Sequence, residues 1–184
     1  MDVQKYKILY KEGEAEISEK KSRFIAHIAP AQTEEEAQAF IEKIKKQYWD
    51  ARHNCWAYSI GEKQPALRCS DDGEPSGTAG KPMLEVLTGQ ELHNVVAVVT
   101  RYFGGTLLGT GGLIRAYTKS TQEGIKESMV IEKCLGVMLS LTCDYTTSGK
   151  IQYLTATEHI PVLDTVYTAV SYTHLRAHET EADL

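Results

Sequence analysis

The 184-residue chain has little of what would mark a secreted, membrane-bound or broadly cationic protein. It has no C-x-x-C pair: Cys55, Cys69, Cys134 and Cys143 stand apart, so their spacing offers neither a zinc ribbon nor a dithiol redox motif. No apolar run approaches the roughly 20 residues that span a bilayer. Met1–Tyr10 lacks the apolar centre of a signal peptide. The expectation is a cytoplasmic protein with reduced thiols and no membrane contact. An excess of positive charge is also missing. The formal charge is −5, so any contact to nucleic acid has to come from a local cluster of Lys and Arg.

What is present describes a folded protein. Hydrophobic residues make up 42% and charged residues 24%, enough apolar material for one domain or two small ones. Lys5–Tyr10, Glu14–Ile17 and Arg23–Ile28 carry strand-like patterns, with Ser18–Ser22 as a turn. Thr33 and Glu36 form a T-x-x-E capping box. Behind it Ala37, Phe40, Ile41, Ile44 and Tyr48 recur at helical spacing, and Lys43, Lys45 and Lys46 oppose the dipole of the last turns. Cys55–Ile60 reads as a strand and Gly61–Lys81 as a long loop. Pro82 suits the first position of a helix running to about Leu92. Val95–Thr100, VVAVVT, reads as a central strand buried on both faces. Gly104–Gly112 is a glycine-rich turn, and Leu113–Met129 a helix with Ile114, Tyr117, Thr121 and Ile125 on one face.

Residues 130–134 read as a hinge. Leu135–Cys143, Thr146–His159 and Val162–Ala169 then form strand, helix and strand. The fold class is α+β, with an N-terminal α/β domain over 1–130 and a partial domain over 134–169. From Ser171 the apolar periodicity stops. Residues 171–184 look like an artefactual tail of the reading frame, which leaves the second domain truncated, with unpaired strand edges.

Three segments could carry chemistry. In Ala51–Tyr58 (ARHNCWAY), Arg52 and His53 precede an apolar strand, and His53 and Cys55 share a face. A His–Cys pair suits nucleophilic catalysis or part of a metal site; a surface His beside a buried Cys is the plainer alternative. In Arg68–Pro82 (RCSDDGEPSGTAGKP), Asp71, Asp72 and Glu74 could supply a general base or hold a cation. Their D-D-G-E order does not match a calcium loop, and a polar turn capped by Asp and Ser is the alternative. In Arg101–Arg115 (RYFGGTLLGTGGLIR), a buried strand runs through glycines into a helix. Gly109, Gly111 and Gly112 would let an anion approach the helix end between Arg101 and Arg115. The string is neither a P-loop nor a strict G-x-G-x-x-G, and close strand–helix packing explains it equally well. Tyr102 and Phe103 could stack on bases.

Taken together, Lys21–Ala26 (KSRFIA), Ala51–Tyr58, Arg68–Leu84 and Val98–Tyr117 resemble the YigZ/IMPACT family. The resemblance implies an N-terminal domain similar to domain IV of elongation factor G and a C-terminal ferredoxin-like domain. It also implies a role in translational regulation, exercised in eukaryotic members through a protein partner. It brings no cofactor, no metal and no catalytic set. The motif positions it carries over are Arg52, His53, Asp71, Asp72, Glu74, Arg101, Tyr102, Gly104, Gly105 and Arg115; Arg68 and Lys81 add positive charge to the same segments.

Three functions compete. The first is a module that binds RNA, the ribosome or a translation factor through Arg52, Arg68, Lys81, Arg101 and Arg115. The second is a hydrolase or phosphate-handling enzyme using Asp71–Glu74 and Gly104–Gly112; with no complete nucleophile–base–orienter set, it ranks lower. The third is a regulator that binds only protein.

Overall fold

The computed structural model describes residues 5–134, 136–167 and 172–177. Its centre is an antiparallel sheet in the order β2-β3-β7-β4-β5, formed by Gly13–Glu19, Ser22–Pro30, Val95–Tyr102, His53–Ile60 and Ala66–Ser70. Successive side chains of β7 point to opposite faces. Val95, Ala97 and Val99 enter one apolar cluster; Val96 and Val98 enter the other. Helices cover both faces, which is why this antiparallel strand reads as an unbroken apolar run.

Helix α1 (Glu34–Gln47) covers one face with Ala37, Ile41 and Ile44. Thr33 caps it, accepting from the Glu36 N–H at 3.2 Å. The return bond is displaced by one residue from an ideal capping box, because Glu36 Oε2 accepts from the Gln32 N–H at 2.7 Å.

Helices α2 (Gly80–Gly89) and α3 (Gly109–Lys126) cover the other face. Both begin earlier than Pro82 and Leu113. Pro82 is the third residue of the helix, two positions deeper than expected but still in the first turn, where its missing N–H costs nothing. Gly80 is required by proximity: a Cβ there would lie 2.8 Å from the Ser70 backbone. Gly109, at φ 72°, opens α3. Ile114 is 40% exposed, so it leaves the face expected for it, while Tyr117, Thr121 and Ile125 are buried. Ser120 and Gly124 complete that face and let α3 lie close; a Cβ on Gly124 would meet Ile28 Cγ1 at 2.8 Å.

Three expectations change. The loop Gly61–Lys81 contains β5, a short edge strand hidden from pattern reading by its exposed residues. Leu92 lies beyond α2, in β6 (Leu92–His93). The expected hinge is strand β8 (Met129–Cys134), which joins β1 (Lys5–Lys11) and β6 in a separate sheet ordered β6-β1-β8.

The contacts divide the chain into a compact unit at Tyr6–Glu132 and a second from Lys133 onward that also takes in Lys5. In the second, β9 (Leu139–Asp144), α4 (Tyr145–Thr157) and β10 (Val162–Tyr167) follow the expected strand–helix–strand order. Asp144 caps α4 by accepting from the Thr147 N–H at 2.7 Å. Residues 135, 168 and 169 of the expected strands lie outside the described residues. The stretch set aside as a tail contains a strand, β11 (Tyr172–Ala177). It pairs antiparallel with β10 and β9 and lies between them, so β9 and β10 run parallel to each other. The remainder of 171–184 lies outside the described residues.

Candidate functional site

Antiparallel alternation brings the three chemical segments to one end of the large sheet. Arg23 pairs with Tyr102, Phe24 with Arg101, and Arg101 with His53. That end also receives the last residue of β5, Ser70. Four connections therefore meet there: the β2–β3 turn at Lys20–Lys21, residues 48–52, residues 71–79 and residues 103–108. With strands about 4.8 Å apart, this rim spans roughly 20 Å.

Beneath the rim lies a buried polar chain. Arg101 Nη1 donates to Glu74 Oε1 at 2.6 Å, with both side chains less than a tenth exposed. Tyr117 donates its hydroxyl to the same oxygen at 2.9 Å. The Cys55 thiol lies 3.3 Å from Tyr117 Oη and 3.0 Å from the Asp71 carbonyl, two acceptors for one proton. The Arg101 guanidinium is held between the Phe24 and Phe103 rings, 5.5 and 5.6 Å from their centroids. Burial pushes the Cys55 thiol and the Tyr117 phenol far above their usual ranges. A thiol so protonated is a poor nucleophile.

The acidic loop is occupied by its own scaffold. The Asp71 carboxylate accepts from the N–H groups of Gly77, Ala79 and Gly80, at 2.8, 3.0 and 2.8 Å. It thereby caps α2, whose N-cap residue Ala79 has no side chain able to do so. Asp72 accepts from the Asn54 N–H at 2.7 Å and pairs with Lys45 at 3.3 Å. His53 Nδ1 is 2.9 Å from the Asp72 carbonyl; a carbonyl only accepts, so Nδ1 carries the proton. Asp72 at φ 43° and Gly73 at φ 86° supply the turn. Among the described residues no group of three or more His, Cys, Asp or Glu could hold a metal ion.

The expected contact residues separate into two sets. Arg101, Glu74, Asp71 and Asp72 build the rim from within. Arg101 is not available as a surface cation, because β-strand alternation places it on the buried side with Val99. Gly104 belongs with them: its N–H donates to Ser22 Oγ at 3.1 Å, and a Cβ would run into the Lys21 backbone. The second set is exposed. Arg52, Gly105 and Gly109 stand open, and Tyr102 bonds Asp50 at 2.8 Å beneath Arg23. Arg68 lies on the exposed strand β5, donating to the Leu67 carbonyl, and Lys81 is 4.0 Å from Glu85 on α2. Gly111, Gly112 and Arg115 lie in α3.

Two rim features escaped the sequence reading. Lys20 and Lys21, at φ 45° and 68°, form the exposed tip of the β2–β3 turn. Trp49, just past α1, is 82% exposed. A lysine pair in a tight turn and a tryptophan off the helical period were the available signals.

The Impact N-terminal domain model matches residues 20–125, a span that holds every rim residue named above. The chain belongs to the IMPACT family. It is 57% identical over 140 residues to the IMPACT family member YvyE of Bacillus subtilis, covering 76% of this chain and 64% of that protein. The match to an IMPACT family member of Haemophilus influenzae is 44% over 146 residues, covering 78% and 71%. That to YigZ of Escherichia coli is 44% over 128 residues, covering 68% and 63%. The chain thus spans less than two thirds of the Bacillus and Escherichia relatives. A solved crystal structure of a hypothetical protein superposes with a TM-score of 0.68 at 36% identity, over 95% of this chain and 85% of that one. No helix among the described residues is long and apolar enough to cross a membrane.

Proposed function

We propose that this IMPACT family member is a cytoplasmic, translation-associated binding protein whose rim engages RNA on the ribosome, without a catalytic step. The carrying observation is the division of labour at the rim. In its acidic loop the Asp71 carboxylate is turned to backbone N–H groups and that of Glu74 to Arg101 and Tyr117. Its outer side carries Lys20, Lys21 and Arg52 beside Trp49 and the half-exposed Phe103. Cations that meet phosphates, interleaved with aromatic faces that stack on splayed bases, are the combination single-stranded RNA requires. The resemblance to a family tied to translational regulation points the same way. The hydrolase alternative has less support, since its candidate acids and thiol already have structural partners.

The test is co-sedimentation with purified ribosomes at low and moderate salt, using the full chain and the variants Lys21→Glu with Arg52→Glu, and Trp49→Ala. Binding should fall with salt, drop about tenfold in the charge-reversed variant and weaken in Trp49→Ala. Binding that ignores both salt and the two reversals would refute an RNA rim. Retention on nuclease-treated factors would favour a protein partner.

A further inference from the structure

Next to the rim, the free edge of β2 and the neighbouring face of α3 line a groove. Two adjoining recesses form it, sharing Ile17 and Lys119. The smaller, about 200 Å³, has an apolar floor of Ile17, Leu108 and Ala116. Lys20, Arg115 and Lys119 stand at its margin with a single carboxylate, Glu19. None of those three cations makes an ion pair among the described residues. The larger recess, about 570 Å³, is lined by Glu14, Glu16, Glu123 and Glu127. Arg23 matches Glu16 and Lys126 matches Glu123. Glu14 faces His27 at 3.4 Å, whose cation burial disfavours. Glu14 and Glu127 therefore remain as uncompensated negative charge. Along one groove the charge changes sign.

β2 is the outermost strand of its sheet, paired only with β3 among the described residues. An edge strand offers unpaired N–H and C=O groups to another chain. We propose that this groove takes an extended peptide segment, added to β2 as a further strand. Its carboxylate would sit against Lys20, Arg115 and Lys119, an apolar side chain over Ile17 and Ala116, and its cation near Glu127. β2 has seven residues, about 20 Å of strand, so the two charges fall roughly six positions apart, on the face shared by alternate residues. An RNA strand fits poorly, because its phosphates would meet the acidic half. The groove shares Lys20 with the rim, but the two tests substitute different residues, Arg115 and Lys119 here and Lys21, Arg52 and Trp49 above, so either proposal can fail alone.

The test titrates the full chain into a fluorescein-labelled, end-blocked peptide, Asp-Thr-Leu-Thr-Val-Thr-Lys, followed by anisotropy, with amide exchange of β2 read by NMR. Saturable binding that slows exchange of β2's outward amides is expected. Arg115→Glu with Lys119→Glu should weaken it about tenfold. The same double variant should gain affinity for a peptide with Lys at both ends, which a merely misfolded protein would not do. Proline in place of the central Thr should abolish binding by removing an N–H and forbidding the strand geometry. Equal affinity in the charge-reversed variant would overturn the proposal. So would β2 amides already slow in the free protein, or displacement of the peptide by oligouridylate.

Discussion

The two compact units both contain regular elements, yet among the described residues the buried apolar side chains all lie in one of them. In Tyr6–Glu132, Phe24, Ile28, Val95, Val98 and Tyr117 are fully buried beneath helices on both faces of a sheet. In the other unit, Val137, Met138, Tyr145 and Tyr153 are 58–77% exposed, and Ser148 is the one buried residue of α4. The capping of α4 by Asp144 is as good as that of α1 by Thr33. Caps and strand patterns are local and settle which elements form. Burial is collective and settles how much free energy holds them.

The sharpest way to probe the difference is to cut the buried chain under the rim. Arg101→Ala leaves Glu74 buried and charged without its partner, a loss of about 3–5 kcal/mol. Both tryptophans, Trp49 and Trp56, lie in the first unit, so urea titration followed by their fluorescence reads this loss. A midpoint unchanged from wild type would mean the pair is not what secures the unit. For the same reason Arg101→Ala is a poor probe of binding.

A smaller effect comes from His27, also in the first unit. Burial lowers its pKa from an ordinary value near 6.5, Lys43 adds to the fall, and Glu14 and Glu12 oppose it. The folded state therefore resists protonation more than the unfolded chain does. Above about 6.5 the group contributes nothing; as pH falls through that value the unfolded state takes up the proton first and stability drops. Urea midpoints at pH 7.5 and 5.5 should differ more for wild type than for His27→Gln. An identical pH response would remove His27 from the account.

The smallest effect belongs to the second unit. Tyr153→Ser changes an exposed side chain and should alter stability by less than about 0.5 kcal/mol, as measured by hydrogen exchange of α4. A loss comparable to that of Arg101→Ala would show that the apolar surface of this unit is covered in solution and would erase the contrast.

Much of this was legible. The β-branched run of β7 announced the central strand, and Thr33 with Glu36 announced α1. Extending the period-two alternation of β7 by two residues puts Arg101 on the same face as Ala97 and Val99, which signals a cation with a buried counter-charge. What could not be read was pairing at a distance. That Asp71 caps α2, that Glu74 meets Arg101 and Tyr117, and that Lys20–Lys21 reaches the same rim as Arg52 all follow from strand register, which no local pattern encodes.

The buried chain under the rim also sets an order of events. Cys55 and Tyr117 are 62 positions apart, and Glu74 and Tyr117 are 43 apart. Contacts this distant close late, after intervening elements have ordered. A chain emerging from its own ribosome therefore carries β3, α1 and β4 before it carries a finished rim. The surface that would receive a partner is completed only when Tyr117 of α3 docks, so an unfinished chain does not present it.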